Sequence, residues 1–199
     1  MKRGLFVLIL ACFGVVPLRG GEFNKTVNIG DAAPAWSDLP GVDGKKHSLA
    51  DLKDKEIVVV VFTCNSCPIA VDYEDRIMAF AKKHEGKVAV VAINVNTIPE
   101  DRLPRMVDRA KEKGFNFLYV YDESQKIARS FGADKTPEFF VLDRERKIAY
   151  MGAMDDKSPP AEATRFFLED AVQAILSGKK PATTETLARG CRIRFAKKK

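Results

Sequence analysis

Runs of apolar residues alternate with amphipathic stretches along most of this chain. Two apolar runs, Ile57–Phe62 and Val88–Val95, the second broken only by Asn94, have the length of strands, and such runs without alternation are typical of strands covered on both faces. Between them, apolar residues recur at spacings of three and four, which predicts a helix over residues 69–84. Pro68 falls in the first turn of this helix and Gly86 follows its end. This part of the chain therefore predicts a strand–helix–strand unit.

The second half of the chain continues the alternation. The predicted elements are a helix over 99–113, a strand over 117–121, a helix over 124–131, strands over 138–142 and 148–152, and a helix over 161–176. Pro104 falls inside the first of these helices, so that helix begins or bends there. A charged turn joins the last two strands, which predicts an antiparallel pair. The fold class predicted is α/β, with a central mixed sheet, parallel in its core, and helices on both faces.

The two ends differ from this pattern. Lys2 and Arg3 precede an apolar run from Leu5 to Leu18, which is too short to span a bilayer comfortably and is typical of a secretory signal peptide. Lipoprotein processing at Cys12 and a retained membrane anchor are the alternatives. An entry segment with an Asp-Gly hairpin opens the domain. The predicted organisation is a signal peptide over 1–21, one domain over 22–178 and a basic tail over 179–199.

Charge is distributed unevenly along the 199 residues, whose formal net charge is +6. Removal of the predicted leader lowers the charge to +3, and the tail from Arg189 carries six basic residues and no acidic one. Residues 22–188 then hold 24 basic and 27 acidic residues. The positive charge therefore lies at the ends, and a nucleic-acid partner has no support.

The candidate chemistry lies at Cys64-x-x-Cys67, where the first apolar strand gives way to a helix. Unpaired N–H groups at a helix start stabilise a thiolate, and this spacing also suits a disulfide. Structural zinc would need a second ligand pair, and a purely structural disulfide is an alternative in an oxidising compartment. The motif favours a reactive dithiol, with no metal and no cofactor. The remaining candidate zinc ligands, which form no spaced pair, are Cys12, Cys191, His47 and His84.

Several segments resemble the thioredoxin-fold redoxins. The Cys-x-x-Cys motif at a strand-to-helix junction is similar to that of thioredoxins, and Thr136-Pro137 matches the loop that carries the family's cis-proline. X-Pro bonds are usually trans, but this context favours cis. The resemblance implies a thioredoxin-like fold. Its other segments are Gly30–Pro34, Asp43–Lys45, Tyr150–Gly152, Asp155-Asp156 and Gly190–Ile193.

The resemblance implies an exported thiol–disulfide oxidoreductase, periplasmic or otherwise extracytoplasmic. Cys64 would be the exposed, attacking thiolate and Cys67 the more buried, resolving thiol. Pro137, if cis, would pack beside the sulfurs and leave the Thr136 backbone free to pair with an extended substrate. The implied partners are protein thiols or disulfides and an unidentified redox partner. Membrane association would arise only through an uncleaved or lipidated N-terminus.

Some positions depart from the family pattern. Thr63 stands where thioredoxin has Trp, the strand Ile57–Val61 lacks thioredoxin's buried Asp, and Ala70 stands where some exported relatives carry Glu. No carboxylate is an obvious proton acceptor for Cys67, and Glu138 is the candidate. Redox potential and direction therefore stay open.

Three other functions stay open as alternatives. A peroxiredoxin-like thiol peroxidase would place Thr three residues before its peroxidatic cysteine, where this chain has Cys64. Copper delivery would need a wider cysteine spacing and a positioned His. A non-enzymatic interaction module with a structural disulfide is the third.

The tail carries a further cysteine. Cys191, Ile193 and Phe195 alternate with polar residues, which predicts a short strand that docks on the domain by one apolar face. Neighbouring arginines would lower the pKa of Cys191. One interpretation is a buried thiol beneath the docked strand. The other is an accessory thiol that exchanges with the Cys64–Cys67 pair or bridges two chains.

Overall fold

The structure is a computed structural model that describes residues 21–196. The predicted signal peptide, with the exception of Gly21, lies outside the described residues, and so does Cys12. Within the described range, no helix combines the length and the apolar character needed to cross a membrane.

Strands and helices alternate along the described residues. The elements are β1 Leu39–Pro40, β2 Lys46–His47, β3 Ile57–Thr63, α1 Pro68–Lys83, β4 Val88–Asn94, α2 Leu103–Lys113, β5 Leu118–Tyr121, α3 Lys126–Phe131, β6 Lys135–Thr136, β7 Glu138–Leu142, β8 Ile148–Gly152, α4 Phe167–Leu176 and β9 Cys191–Arg192. A five-stranded mixed sheet organises the molecule, in the order β5-β4-β3-β7-β8. β3 pairs parallel with β4 and β4 parallel with β5, whereas β7 and β8 continue the sheet antiparallel. The predicted mixed sheet with a parallel core is confirmed.

Two hydrophobic layers cover the sheet. All seven residues of β3 are buried, which explains why its sequence is apolar without alternation. Helices α1, α2 and α4 pack on one face, where Tyr73, Met106 and Leu168 meet. The opposite face is covered by α3, the entry segment and the C-terminal segment, which contributes the buried Ile193. Helices therefore lie on both faces, and β3 is held rigidly at the centre.

α4 begins later than the sequence predicted. It starts at Phe167 because the Asp156 carboxylate accepts hydrogen bonds from the Thr164 N–H and hydroxyl, at 2.9 and 2.7 Å, and holds that segment outside the helix. α3 also begins later than predicted, at Lys126 and not at residue 124. α2 begins at Leu103, as the position of Pro104 allowed, and Pro99–Asp101 forms a separate 3-10 turn before it.

The C-terminal segment runs back over the domain and does not leave it at residue 178. The Met151 N–H donates to the Thr184 carbonyl at 3.0 Å, and the Thr186 N–H donates to the Met151 carbonyl at 3.1 Å. Further on, β9 pairs antiparallel with β6. The tail thus docks as a short strand, as its alternating pattern predicts.

Candidate active site

Cys64 and Cys67 lie at the junction between β3 and α1. Cys64 directly follows the last residue of the central strand, which fixes its position. Cys67 is the N-cap of α1, and its Sγ accepts a hydrogen bond from the Ala70 N–H at 3.4 Å. Pro68 occupies the first helical position, where its missing N–H breaks no helical bond. The junction therefore places Cys67 at the positive end of the helix dipole.

Both cysteines are free thiols, and both are buried. Their exposed fractions are 3% for Cys64 and 2% for Cys67. The expected contrast between an exposed Cys64 and a more buried Cys67 is therefore wrong for this state of the protein. The physical reason is that the loop Thr136–Pro137 lies against both sulfurs and the C-terminal segment lies against that loop.

The Thr136–Pro137 loop contacts the two sulfurs through different atoms of one residue. Its peptide bond is cis. Cys64 Sγ lies 3.5 Å from Thr136 Oγ1, and the Cys67 thiol donates a hydrogen bond to the Thr136 carbonyl at 3.1 Å. The residue to which the resemblance assigns substrate binding therefore adjoins both thiols.

The two thiols differ sharply in acidity. The pKa of Cys67 is lowered to about 4, chiefly because the Cys64 thiol donates a hydrogen bond to it, with further hydrogen bonds from Cys191 and the Ala70 N–H. The same bond with Cys67 raises the pKa of Cys64, and burial adds to that effect. Ionisation of Cys67 gives up its bond to the Thr136 carbonyl, but the remaining donors stabilise the thiolate. The N-cap position of Cys67 and its hydrogen-bond donors therefore favour a thiolate on Cys67, whereas the resemblance implied one on Cys64.

We expect the reduced protein to hold a thiolate across the neutral range. Because the pKa of Cys67 is about 4, its absorbance at 240 nm should persist down to about pH 5, whereas an ordinary thiol loses it below about pH 8.5. The unfolded chain takes up this proton first as pH falls, so the stability contributed by Cys67 is lost between those two pKa values. An ultraviolet pH titration checks this, with Cys67→Ser and Cys64→Ser as the matched pair. If the absorbance transition at low pH disappears in Cys64→Ser but persists in Cys67→Ser, the thiolate lies on Cys64.

Asp101 is a site residue that the sequence did not single out. It is fully buried, and its carboxylate accepts hydrogen bonds from the Ser66 N–H at 2.9 Å, from the Ser66 hydroxyl at 2.7 Å and from Asn96 Nδ2 at 2.9 Å. Ser66 Oγ also lies 3.8 Å from Cys64 Sγ. One hydroxyl therefore links a buried carboxylate to Cys64, and the charge of Asp101 contributes to the raised pKa of that thiol.

Asn65, the other residue between the two cysteines, is also held by residues that follow or adjoin β4. Asn65 Nδ2 donates to the Glu100 carbonyl at 2.9 Å, and Asn65 Oδ1 accepts from the Tyr119 hydroxyl at 2.8 Å. Asn94, at the end of β4, donates to the Tyr119 hydroxyl at 3.2 Å. Parallel strands end at the same edge of a sheet, so the polar residues that follow β4 meet the motif that follows β3. That rule was the signal in the sequence that could have identified Asp101.

Glu138, the candidate proton acceptor for Cys67, has a different role. Its Oε2 accepts hydrogen bonds from the N–H groups of Asp134 and Lys135, at 2.9 and 3.0 Å. Burial raises the pKa of Glu138. Among residues 21–196, no hydrogen bond joins Glu138 to either cysteine of the motif. Glu138 instead shapes the turn that leads into Thr136.

Cys191 lies beside the motif. In the β6–β9 ladder its register partner is Thr136, and its thiol is exposed. The interpretation of Cys191 as a buried thiol is therefore wrong. A hydrogen bond with Cys67 raises the pKa of Cys191 to about 11, against the lowering expected from its arginine neighbours. The structure thus brings the sequence-predicted residues Cys64, Cys67, Thr136, Pro137 and Cys191 together at one site.

The described residues do not offer a metal site. Between residues 21 and 196, no group of three or more His, Cys, Asp or Glu side chains is arranged to hold a metal ion. His47 lies 2.9 Å from the Asp43 carboxylate and His84 lies 3.0 Å from the Glu169 carboxylate. Neither histidine therefore supplies a ligand near the three thiols.

Solved structures of thioredoxin-like proteins share this arrangement of sheet and helices, so the molecule is a thioredoxin-like protein with a thiol site. A model of the Redoxin family matches residues 28–165. The chain therefore belongs to the Redoxin family.

Individual relatives support a redox activity in general. The crystal structure of a hypothetical protein from Sinorhizobium meliloti 1021 matches with a TM-score of 0.81 and 36% identity, over 87% of this chain and 97% of that chain. A putative peroxiredoxin from Mycobacterium tuberculosis is 27% identical over 135 residues, which is 60% of this chain and 80% of the relative. The thiol-disulfide oxidoreductase ResA from Bacillus anthracis is 25% identical over 150 residues, 73% of this chain and 83% of the relative.

Proposed function

We propose that this protein is a thiol–disulfide oxidoreductase that reduces or exchanges protein disulfides with the Cys64–Cys67 dithiol. One observation carries the proposal. Both sulfurs contact Thr136, Cys64 Sγ at 3.5 Å from its Oγ1 and Cys67 Sγ at 3.1 Å from its carbonyl, and the pKa of Cys67, at the helix N-cap, is lowered to about 4. A thiolate beside a second thiol is the minimal apparatus for disulfide exchange.

Cys67 is the attacking sulfur in this proposal. Its thiolate attacks one sulfur of the substrate disulfide, so that a Cys67–substrate bond forms, the substrate S–S bond breaks and the other substrate sulfur leaves as a thiolate. Cys64 then attacks Cys67 Sγ, which releases the second substrate sulfur and leaves a Cys64–Cys67 disulfide. The substrate gains two electrons and the dithiol loses two. These roles reverse those that the resemblance implied.

Asp101 assists the second step. Cys64 must lose its proton to attack, and Ser66 Oγ lies 3.8 Å from Cys64 Sγ while donating to the Asp101 carboxylate at 2.7 Å. The proton passes from Cys64 to Ser66 as the Ser66 proton passes to Asp101. Until then, the charge of Asp101 contributes to the raised pKa that keeps Cys64 protonated.

Reduction of insulin disulfides in the presence of dithiothreitol tests the proposal. We expect activity that falls by roughly two orders of magnitude or more in both Cys64→Ser and Cys67→Ser, since each removes one of the two electron-donating sulfurs. Cys64→Ser should in addition accumulate a mixed disulfide at Cys67, because the resolving thiol is missing. Wild-type activity no greater than that of the two variants would exclude the oxidoreductase.

A thiol peroxidase is the second candidate, because an acidic Cys67 also suits attack on a peroxide and one relative is a putative peroxiredoxin. This alternative is weakened by the partners of Cys67, because within residues 21–196 its hydrogen bonds join Thr136 and Ala70 and none joins an arginine. Consumption of hydrogen peroxide that depends on Cys67 and equals the rate of insulin reduction would favour the peroxidase.

We place the protein outside the cytoplasm, periplasmic or otherwise extracytoplasmic. The support is the basic start and apolar run of residues 2–18. The partners there are protein disulfides and a further redox partner. Mass spectrometry of the native protein should find a mature chain that begins near residue 22, and an unprocessed chain in the cytoplasm would contradict this location.

A further inference from the structure

The C-terminal segment occupies the edge of the Thr136 loop as an extended peptide. Beyond the β6–β9 ladder, the Ile193 N–H donates to the Asp134 carbonyl at 2.9 Å. The Arg194 N–H then donates to Asn96 Oδ1 at 3.1 Å. The segment is therefore held by hydrogen bonds to its main chain along its length.

Two buried amide side chains form hydrogen bonds with the main chain of this extended segment. Asn96 and Gln125 are only 3% and 2% exposed. Gln125 donates to the Arg194 carbonyl at 2.9 Å and accepts from the Ala196 N–H at 2.7 Å. Contacts to main-chain atoms alone do not depend on the side chains of the bound segment. The edge is therefore a site for an extended peptide, which the chain's own end now fills.

Cys191 lies where the sulfur of such a peptide would react. It is opposite Thr136 in the ladder, and the Thr136 carbonyl is 3.1 Å from Cys67 Sγ. Gly190 permits this approach, because a Cβ at position 190 would lie 2.0 Å from the Thr136 carbonyl oxygen. Both the glycine at position 190 and the pairing of β9 with β6 therefore keep the tail close to the Thr136 loop.

We propose that residues 190–196 are a built-in substrate mimic and that Cys191 is a third redox-active cysteine, which exchanges into a disulfide with Cys67. The proposal rests on the proposed function, because it takes the edge of β6 as the place where a protein substrate binds. It assigns Cys191 to the position of the substrate sulfur.

The exchange needs no external oxidant once the motif has been oxidised by a protein disulfide. Cys191, as a thiolate, attacks Cys67 Sγ in the Cys64–Cys67 disulfide, so that the Cys67–Cys191 bond forms and the Cys64–Cys67 bond breaks. Cys64 leaves as a thiolate and takes up the proton that Cys191 has lost. The number of disulfides is unchanged, and Cys64 is again a free thiol.

The mimic also defines the class of substrate. An external segment in this place needs glycine before its cysteine, because even a Cβ at position 190 would lie 2.0 Å from the Thr136 carbonyl oxygen. It also needs an apolar residue two positions after the cysteine, since Ile193 is 5% exposed in the core layer. The substrate class is therefore an extended Gly-Cys-x-aliphatic segment of a protein.

Non-reducing peptide mapping of the purified protein tests the exchange. Trypsin places Cys64 and Cys67 together in peptide 56–76 and Cys191 in peptide 190–192. After stoichiometric oxidation with diamide, Cys64→Ser should give these two peptides joined through Cys67 in most molecules, because Cys64 cannot reverse the exchange. The matched control, Cys67→Ser, should leave Cys191 open to alkylation.

Two results would overturn the proposal. One is a Cys191 that is fully alkylated in oxidised Cys64→Ser, and the other is a disulfide of Cys191 with a second chain only, seen as a dimer on a non-reducing gel. Near-UV circular dichroism checks that each variant is folded, and the wild type, mapped across a glutathione series, should show the joined peptides as a minor species. Insulin reduction without the joined peptides removes the inference alone, whereas joined peptides without insulin reduction remove the proposed function and the substrate mimicry, and leave only the exchange between Cys67 and Cys191.

Discussion

Replacement of Gly190 by valine should make Cys64 and Cys67 reactive toward alkylating agents in the folded protein. A Cβ at this position would lie 2.0 Å from the Thr136 carbonyl oxygen, a backbone atom that cannot move aside cheaply. Overpacking of this kind costs about 1–3 kcal/mol, and each 1.4 kcal/mol changes a population about tenfold. The open state, in which the tail has left the site, should therefore be roughly fivefold to a hundredfold more populated. Alkylation rates with iodoacetamide, measured by mass spectrometry, give the ratio directly.

Arg192→Ala is the matched control for this experiment. Arg192 lies in the same short strand, but its side chain is exposed and its contact with Asp134 is a single ion pair at 3.9 Å. Exposed pairs of this kind contribute about 0–1 kcal/mol, so alkylation should change little. Equal rates in Gly190→Val and the wild type would show that the tail does not cover the cysteines. A thermal melt separates local release of the tail from general unfolding.

Replacement of Asp101 by alanine should destabilise the protein by about 3 kcal/mol, because it leaves buried donors without an acceptor. The groups concerned are the Ser66 N–H and hydroxyl and Asn96 Nδ2, all within 2.9 Å of the carboxylate. The free energy of unfolding in urea measures the loss. In the same variant the loop that carries the cysteines loses its anchor, so insulin reduction should fall as well.

Asp101→Asn separates the structural role of this residue from proton transfer. An amide oxygen can still accept from the Ser66 N–H, so part of the lost stability should return. An amide cannot take up the proton of Cys64, so the second step should stay slow and a mixed disulfide at Cys67 should accumulate. Rapid resolution of that disulfide in Asp101→Asn would contradict the proton-transfer role and leave Asp101 as an anchor only.

The sheet could be predicted from the sequence because its two central strands are covered on both faces. Every residue of β3 and β4 is buried, so both strands appear in the sequence as runs of apolar residues, which clearly predict buried strands. The start of α4 could not be predicted, because it depends on the Asp156 carboxylate, which binds a segment eight or nine residues later. Long-range capping of this kind leaves no periodic signal in the sequence.

The site could be predicted only in part, for a related reason. Two cysteines at a strand-to-helix junction and a Thr-Pro pair carry local signals, and they meet as the resemblance implied. Nothing in the local sequence distinguishes Asp101 from other acidic residues in loops. The parallel pairing of β3 with β4 is what brings it to Ser66. The lowered pKa of Cys67 could not be predicted, because it depends on the N-cap position of that residue and on a third thiol that a distant segment brings beside it.

The main-chain character of the tail site limits the kind of protein that can replace the tail. Asn96, Gln125 and the Asp134 carbonyl all bind peptide groups, which helices and sheets already use internally. A cysteine within regular structure therefore cannot enter this edge, but one in a flexible terminus or in a chain that has not finished folding can. The proposed substrates would therefore be selected by their folding status: the redoxin would act on chains that have not finished folding and not on the same proteins once they are native.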